Sequence, residues 1–514
     1  MNTLRAFAFA LFALAAAVNA ATKPDFSELE AFVQSELRRN DVPGCAVAVV
    51  VDGEVAFAKG FGVANVDTGE PVKSDMLFRI GSTTKMFTAA TLVSLAEDGK
   101  VKLEAPASDY VKGLAPKIGR VTSHQLLSHN AGLADETFME GPHDETALGD
   151  WVRGLKDSLV FTEPGKIYSY SNPGFWVAGF VAESAGGKRY ADLVAERVLK
   201  PCGMTRSTFR PTEAMTWPLA VGHGPEGRGK PSVVRPLADN AGGWPAGQLF
   251  TTAPEFARFC IAFMNGGKLD GKQALSPFVV EKLSTPHVAV PGREGHYGYG
   301  LSISDEGGLR WLSHGGSRTG YGSTMKMCPQ KKFAAVILGN KTGAGLAPVA
   351  DKAAQLVLGT PPRPREPRVT LTMNDDELKR LAGVYSNGRT TIRLVARDGK
   401  LMGPRGELKK VGENLLRLVS GENGDVTNFV IVPGTDGRIE YLFRQGRALR
   451  RLPDGRSAGN ANADETTTTA RTAWAPTIDY GPREARVVSA GPLAKLPEVS
   501  IWVELAHPQP APPL

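Results

Sequence analysis

Cysteine is scarce: only Cys45, Cys202, Cys260 and Cys328 occur in 514 residues, and they lie far apart. Four dispersed thiols cannot make the dense disulfide framework that staples small exported domains, so they are read as small buried apolar residues. Long apolar runs are missing beyond the N-terminus, where nothing reaches the ~18 residues a membrane-spanning helix needs. No integral membrane anchor is therefore expected. The charge is not one-sided either, with 60 Lys and Arg against 53 Asp and Glu. Acids and bases interleave, so the net +7 forms no basic stripe, and no nucleic-acid partner is expected. Two hydrolase signatures are also absent. Without H-E-x-x-H, and with His124 and His129 lacking a third ligand, zinc hydrolysis has no support. Without G-x-S-x-G, the strand-to-helix elbow of α/β-hydrolases is disfavoured. Neither a metal nor another cofactor is implied.

What the chain does have begins with Arg5, an apolar run from Ala6 to Val18 and small residues at Val18 and Ala20. This order reads as a signal peptide over 1–20, and it predicts a secreted or periplasmic protein starting near Ala21. Cys45–Val51, the turn Asp52-Gly53 and alternating Val55 and Phe57 predict a first hairpin. Phe87, Ala90, Leu92, Val93, Leu95 and Ala96 have helical spacing, and Gly99 supplies a stop, which predicts a buried helix between Thr84 and Gly99. Further helices are expected over Gly174–Ala185, Tyr190–Leu199 and Pro254–Asn265, with strands returning over Leu309–Leu338. The fold class is then α/β, an antiparallel sheet flanked by helices with a helical region. The prolines of Thr360–Pro367 predict a linker over 359–375. Beyond it, short alternating runs around Asp398-Gly399 and Asp436-Gly437 predict a small antiparallel β-barrel over 376–454. The tail, 455–514, is expected to be of low order.

Three constellations carry chemistry. In Phe78-Arg79-Ile80-Gly81-Ser82-Thr83-Thr84-Lys85, Ser82 and Lys85 share one helical face, so the amine can reach the hydroxyl. Serine becomes a nucleophile when a base takes its proton, and lysine serves once burial lowers its pKa. Alone, Ser82 would be an ordinary helix cap and Lys85 a surface residue. In Tyr168-Ser169-Tyr170-Ser171-Asn172, Tyr170 offers a proton acceptor if neighbouring cations depress its pKa, and Asn172 an amide for substrate and lysine. In Ser313-His314-Gly315-Gly316-Ser317, two glycines permit close approach of a substrate to the backbone. The N–H groups of Ser317 and Ser82 would there form an oxyanion hole. His129 is read as structural.

Together, S-x-x-K, Y-S-N and H-G-G in this order resemble the serine β-lactamase-like superfamily, in its branch of class C β-lactamases, family VIII esterases and D-aminopeptidases. Leu126–Leu133, Pro201–Met204, Ala246–Thr252 and His296–Gly300 fit the same branch, so the likeness runs over 24–358. The stretch Leu381–Leu452 resembles the lipocalin-like barrels appended to some members. The resemblance implies the penicillin-binding fold, Ser82 as acylated nucleophile, Lys85 and Tyr170 as the proton-transfer pair, and Asn172, His314, Gly316 and Ser317 against the substrate. It implies a serine hydrolase acting on an amide, D-amino-acid peptide or ester. A β-lactamase or DD-carboxypeptidase is the second reading, and a penicillin-binding sensor or non-catalytic binding protein the third. One departure bears on substrate. His314-Gly315-Gly316 stands where β-lactamases of this kind present Lys-Thr-Gly or Lys-Ser-Gly, so a hydroxyl and a fixed charge for a substrate carboxylate are missing; Arg318 is a candidate replacement. The partner is a small-molecule or peptide substrate, and the oligomeric state is open.

Overall fold

The computed structural model describes residues 24–227, 229–361, 369–420 and 425–453. The expected signal peptide, residues 362–368 of the proline-rich linker and the tail lie outside the described residues. Eight strands make the main antiparallel sheet: β1 (Gly44–Val51), β2 (Glu54–Gly62), β3 (Val288–Ala289), β4 (His296–Tyr297), β5 (Ser302–Glu306), β6 (Leu309–Arg318), β7 (Tyr321–Cys328) and β8 (Phe333–Gly339), in the order β2-β1-β8-β7-β6-β5-β4-β3. The central strands are apolar on both faces because both faces are covered. Along β1, Cys45, Val47 and Val49 face a cluster containing Leu29 and Val33 of helix α1 (Ser27–Arg39). The alternate residues Ala46, Ala48 and Val50 face the larger core of the helical region. Strand β8 divides in the same way, Phe333, Ala335 and Ile337 to one side and Ala334, Val336 and Leu338 to the other. Asp52 and Gly53 both have positive φ, as a two-residue hairpin turn requires.

Inside the helical region, α2 (Lys85–Glu97) is buried along nearly its whole length and follows a 3₁₀ turn, Gly81–Thr84. Helix α3 (Asn172–Gly186) packs beside it. Its N-cap, Ser171, accepts from the Gly174 N–H, and left-handed Gly187 ends it. The helix expected over Tyr190–Leu199 is instead α-helical over Tyr190–Val194 and a π turn over Ala195–Leu199. All four cysteines are free and buried.

A closed antiparallel barrel follows, of strands β9 (Gly383–Ser386), β10 (Thr391–Arg397), β11 (Lys400–Gly403), β12 (Gly406–Gly412), β13 (Leu415–Ser420), β14 (Asp425–Pro433), β15 (Ile439–Arg444) and β16 (Arg447–Arg451). Its interior is filled by side chains, among them Tyr385, Leu394, Leu401, Leu416, Phe429 and Leu449. Among the described residues no helix is long and apolar enough to cross a membrane.

Candidate active site

The turn bearing Ser82 is pressed backbone to backbone against β6. Gly81 has φ +52°, and a Cβ on it would lie 2.6 Å from the Ser317 nitrogen; a Cβ on Gly316 would lie 2.0 Å from the Ile80 carbonyl oxygen. The bare side of Gly316 therefore faces the turn that bears Ser82. The sequence had suggested that it faces substrate; the packing gives the different reason. Two hydroxyls lock this contact, for Thr83 Oγ1 and Ser323 Oγ both donate to the Ile80 carbonyl, at 2.7 and 2.6 Å. The N–H groups of Ser82 and Ser317 thus come from segments in direct contact, as an oxyanion hole needs.

Lys85 is fully buried at the base of the site. Its Nζ lies 3.3 Å from Ser82 Oγ, 2.7 Å from Asn172 Oδ1 and 2.6 Å from the Ala246 carbonyl oxygen. The two carbonyl oxygens can only accept, so they take two N–H bonds. Burial drives the lysine pKa well below its ordinary value, with Asp135 opposing and Arg447 assisting. In its unprotonated form the amine, with two hydrogens engaged there, would turn its lone pair to Ser82. Asn172 is fixed at its other atoms as well, Nδ2 donating to Thr137 Oγ1 at 2.8 Å and the backbone N–H to Asp135 Oδ1 at 2.8 Å.

Tyr170 is set over the same lysine, its ring centre 4.8 Å from Nζ. Its hydroxyl is buried and has no well-formed hydrogen bond, although Ser82 is near enough to lower its pKa in part. Burial dominates and pushes the phenol well above its ordinary value. This corrects the expectation of a phenolate made by nearby cations. The two imidazoles beside it are uncharged, His129 being held well below 6.5 and His314 at about 4, both chiefly by burial. Burial thus favours the unprotonated amine at Lys85 and the protonated phenol at Tyr170.

His314 lines the cleft with both ring nitrogens engaged. Nδ1 lies 2.6 Å from the Gly315 carbonyl and so carries the proton, leaving Nε2 to accept from Tyr297 Oη at 2.9 Å. His129 accepts the Ser171 N–H at Nδ1, 3.1 Å away, and its carbonyl accepts the Ser169 N–H at 2.8 Å. It thereby holds the Tyr170 segment in place. Arg318 is not a free replacement for the missing lysine. Its guanidinium is buried, donates to the Met139 and Ala238 carbonyls, and has its pKa brought down to about 9 by burial and by Arg79.

Ser82 and Tyr170 open onto two cavities. The larger, about 790 Å³, is walled by His314, Gly316 and Ser317 on one side and by Asn428, Phe443 and Arg447 of the barrel on the other. The smaller, about 210 Å³, includes Asn172, Gln248 and Arg318. Asp135, Thr137 and Arg447 were not found from sequence. Asp135 stands five residues after Asn130, close to a motif that was noticed, whereas nothing local distinguishes Arg447 from the other arginines of β16. Among the described residues no group of three His, Cys, Asp or Glu is arranged to hold a metal ion.

The family model described as Beta-lactamase matches residues 29–359. Among curated relatives, Penicillin-binding protein 4 of Amycolatopsis lactamdurans is 28% identical over 314 residues, covering 58% of this chain and 81% of that protein. Unguisins hydrolase ungD of Aspergillus violaceofuscus is 26% identical over 347 residues, 61% of each chain, so less than two thirds of that relative's length is spanned. Among solved structures, SurE is 25% identical with a TM-score of 0.67, covering 83% of this chain and 98% of its own. The octameric penicillin-binding protein homologue from Pyrococcus abyssi, 24% identical with a TM-score of 0.58, covers 83% and 99% and shows the likeness of fold. Both cover more of the chain than residues 29–359 make up. The match over most of the chain, with the fold just described, establishes that this protein belongs to the Beta-lactamase family, of serine hydrolases on a β-lactamase-like fold.

Proposed function

We propose that the protein is an exported hydrolase that works through an acyl-enzyme on Ser82, with an ester, an amide or a D-amino-acid-type peptide as substrate. The observation that carries this is the Lys85 amine, which has both hydrogens committed to carbonyls and its third contact on Ser82 Oγ. In this reading Lys85 takes the Ser82 proton as Oγ attacks the substrate carbonyl carbon. The oxyanion is met by the N–H groups of Ser82 and Ser317. Collapse expels the leaving group, which receives a proton relayed through Tyr170, and water then enters by the reverse transfers and releases the acid. Asn172 holds the lysine from one side and turns its amide toward the smaller cavity, and His314 and Gly316 shape the wall of the larger one.

Three features argue against efficient β-lactam turnover. Gly315 has no hydroxyl, His314 carries no charge at neutral pH, and Arg318 is already bound to backbone carbonyls. The larger cavity has room for a peptide-sized leaving group. Export rests on the N-terminal pattern of Arg5 and the apolar run that follows.

Intact-mass analysis after exposure to a fluorophosphonate, to penicillin and to nitrocefin, with peptide mapping, tests the reading. A fluorophosphonate adduct on Ser82 without lasting penicilloyl adduct or nitrocefin turnover is expected. A stable penicilloyl-Ser82 would favour the penicillin-binding reading, and a Ser82 that no reagent labels would remove the hydrolase proposal.

A further inference from the structure

The tip of the β15–β16 hairpin brings the barrel against Tyr170. Gln445 and Gly446 both have positive φ, so the tip is a tight two-residue turn with little freedom. The Gly446 carbonyl accepts the N–H of Tyr170 at 2.8 Å. Next to it, Arg447 places Nε and a terminal nitrogen 3.0 and 2.6 Å from Asp135 Oδ2. The same carboxylate accepts the Asn172 N–H on its other oxygen at 2.8 Å, and Asn172 Oδ1 accepts from Lys85. Arg447 also lies against the Tyr170 ring, 5.1 Å from its centre. A continuous chain of polar contacts therefore runs from barrel to base: Arg447, Asp135, Asn172, Lys85.

The other ionisable groups around Lys85 and Tyr170 come from every neighbouring segment. They are His129 before α3, Tyr168 beside it, Tyr297 on β4 and His314 on β6, and burial holds all of them uncharged. The charges that act on Lys85 are thus Asp135, favouring the ammonium, and Arg447, opposing it. The two effects oppose each other, that of Asp135 being the larger. Arg447 keeps 40% of its side-chain exposure on the cleft side against 11% for Asp135, so water screens it in part.

We propose that Arg447 is a positioning residue of the active site, which acts through Asp135 to keep Lys85 an unprotonated base and Asn172 in place. The barrel is then required for the chemistry itself. This inference rests on the reading of Lys85 as the base for Ser82.

Its test uses the full-length protein and a neutral p-nitrophenyl ester, which carries no anion for Arg447 to bind. The pH dependence of kcat/KM is measured for the wild type, Arg447→Met, Asp135→Asn and the double variant. In Arg447→Met the uncompensated carboxylate should move the acid limb up by about one pH unit, a tenfold loss below the limb with recovery at high pH. In Asp135→Asn, which keeps the acceptor for the Asn172 N–H, the limb should move down. The double variant should return close to the wild-type limb. A loss in Arg447→Met that is equal at every pH, or that the second substitution does not relieve, would overturn the inference while leaving the acyl-enzyme reading intact. Should Arg447→Met fail to fold, an unshifted limb in Asp135→Asn would overturn it as well. A wild type with no esterase activity and no labelling at Ser82 would overturn both.

Discussion

The two sheets bury their apolar residues by different routes, and each contributes to the site accordingly. In the catalytic unit both faces of the sheet are covered, so β1 and β8 are apolar at nearly every position. The sheet's role at the site is backbone: β6 brings Gly316 and Ser317 against the Ser82 turn with no side chain between. In the barrel one face is filled core and the other meets solvent, so β10 alternates, with Ile392 and Leu394 buried and Arg393 and Val395 exposed. Such a barrel has no wide apolar interior to offer, and it reaches the site with a hairpin tip and one charged side chain. A closely packed sheet fixes geometry, while a peripheral barrel adds a charge that geometry alone does not provide.

The sharpest way to break this comparison is at the nucleophile. Ser82→Ala should lower turnover of any substrate by ~10³-fold or more, and Lys85→Ala by nearly as much, because the two act as a unit. Steady-state rates check both. The backbone role of β6 is tested by neighbouring glycines. Gly316→Ala should destabilise the catalytic unit by roughly 3 kcal/mol through overpacking against Ile80. Gly315→Ala, whose Cβ would meet nothing closer than 3.9 Å, should stay within about 0.5 kcal/mol of wild type in thermal or denaturant unfolding. No effect on the pH dependence of catalysis is expected where the barrel docks away from the charges. Tyr441 Oη and Thr162 Oγ1 lie 2.7 Å apart, and Tyr441→Phe should cost about 1 kcal/mol in unfolding while leaving the acid limb of kcat/KM where it was.

Local pattern made much of the molecule legible. Helix α2 was readable because its apolar residues are dense and a glycine ends it, and the barrel because Asp-Gly turns punctuate alternating runs. Ser82 with Lys85 and Tyr170 with Asn172 were readable because each pair lies within one short segment. Three things were not. The charge state of Tyr170 depends on burial beneath the barrel and beside two neutral imidazoles, which no local spacing encodes. The engagement of Arg318 depends on carbonyls at Met139 and Ala238, remote in the chain. Arg447 meets Asp135 across 312 residues, and neither residue carries a mark of its role in its own neighbourhood.

The central claim is that Lys85 is a neutral base in the resting protein. Nitrogen NMR of the protein carrying ¹⁵Nζ-labelled lysine tests it directly, the Lys85 signal being assigned by its loss in Lys85→Met. The account predicts a neutral-amine signal at pH 7, with the ammonium appearing only as the pH is lowered. A signal that stays ammonium until the pH approaches the ordinary lysine value of about 10.4 would contradict it.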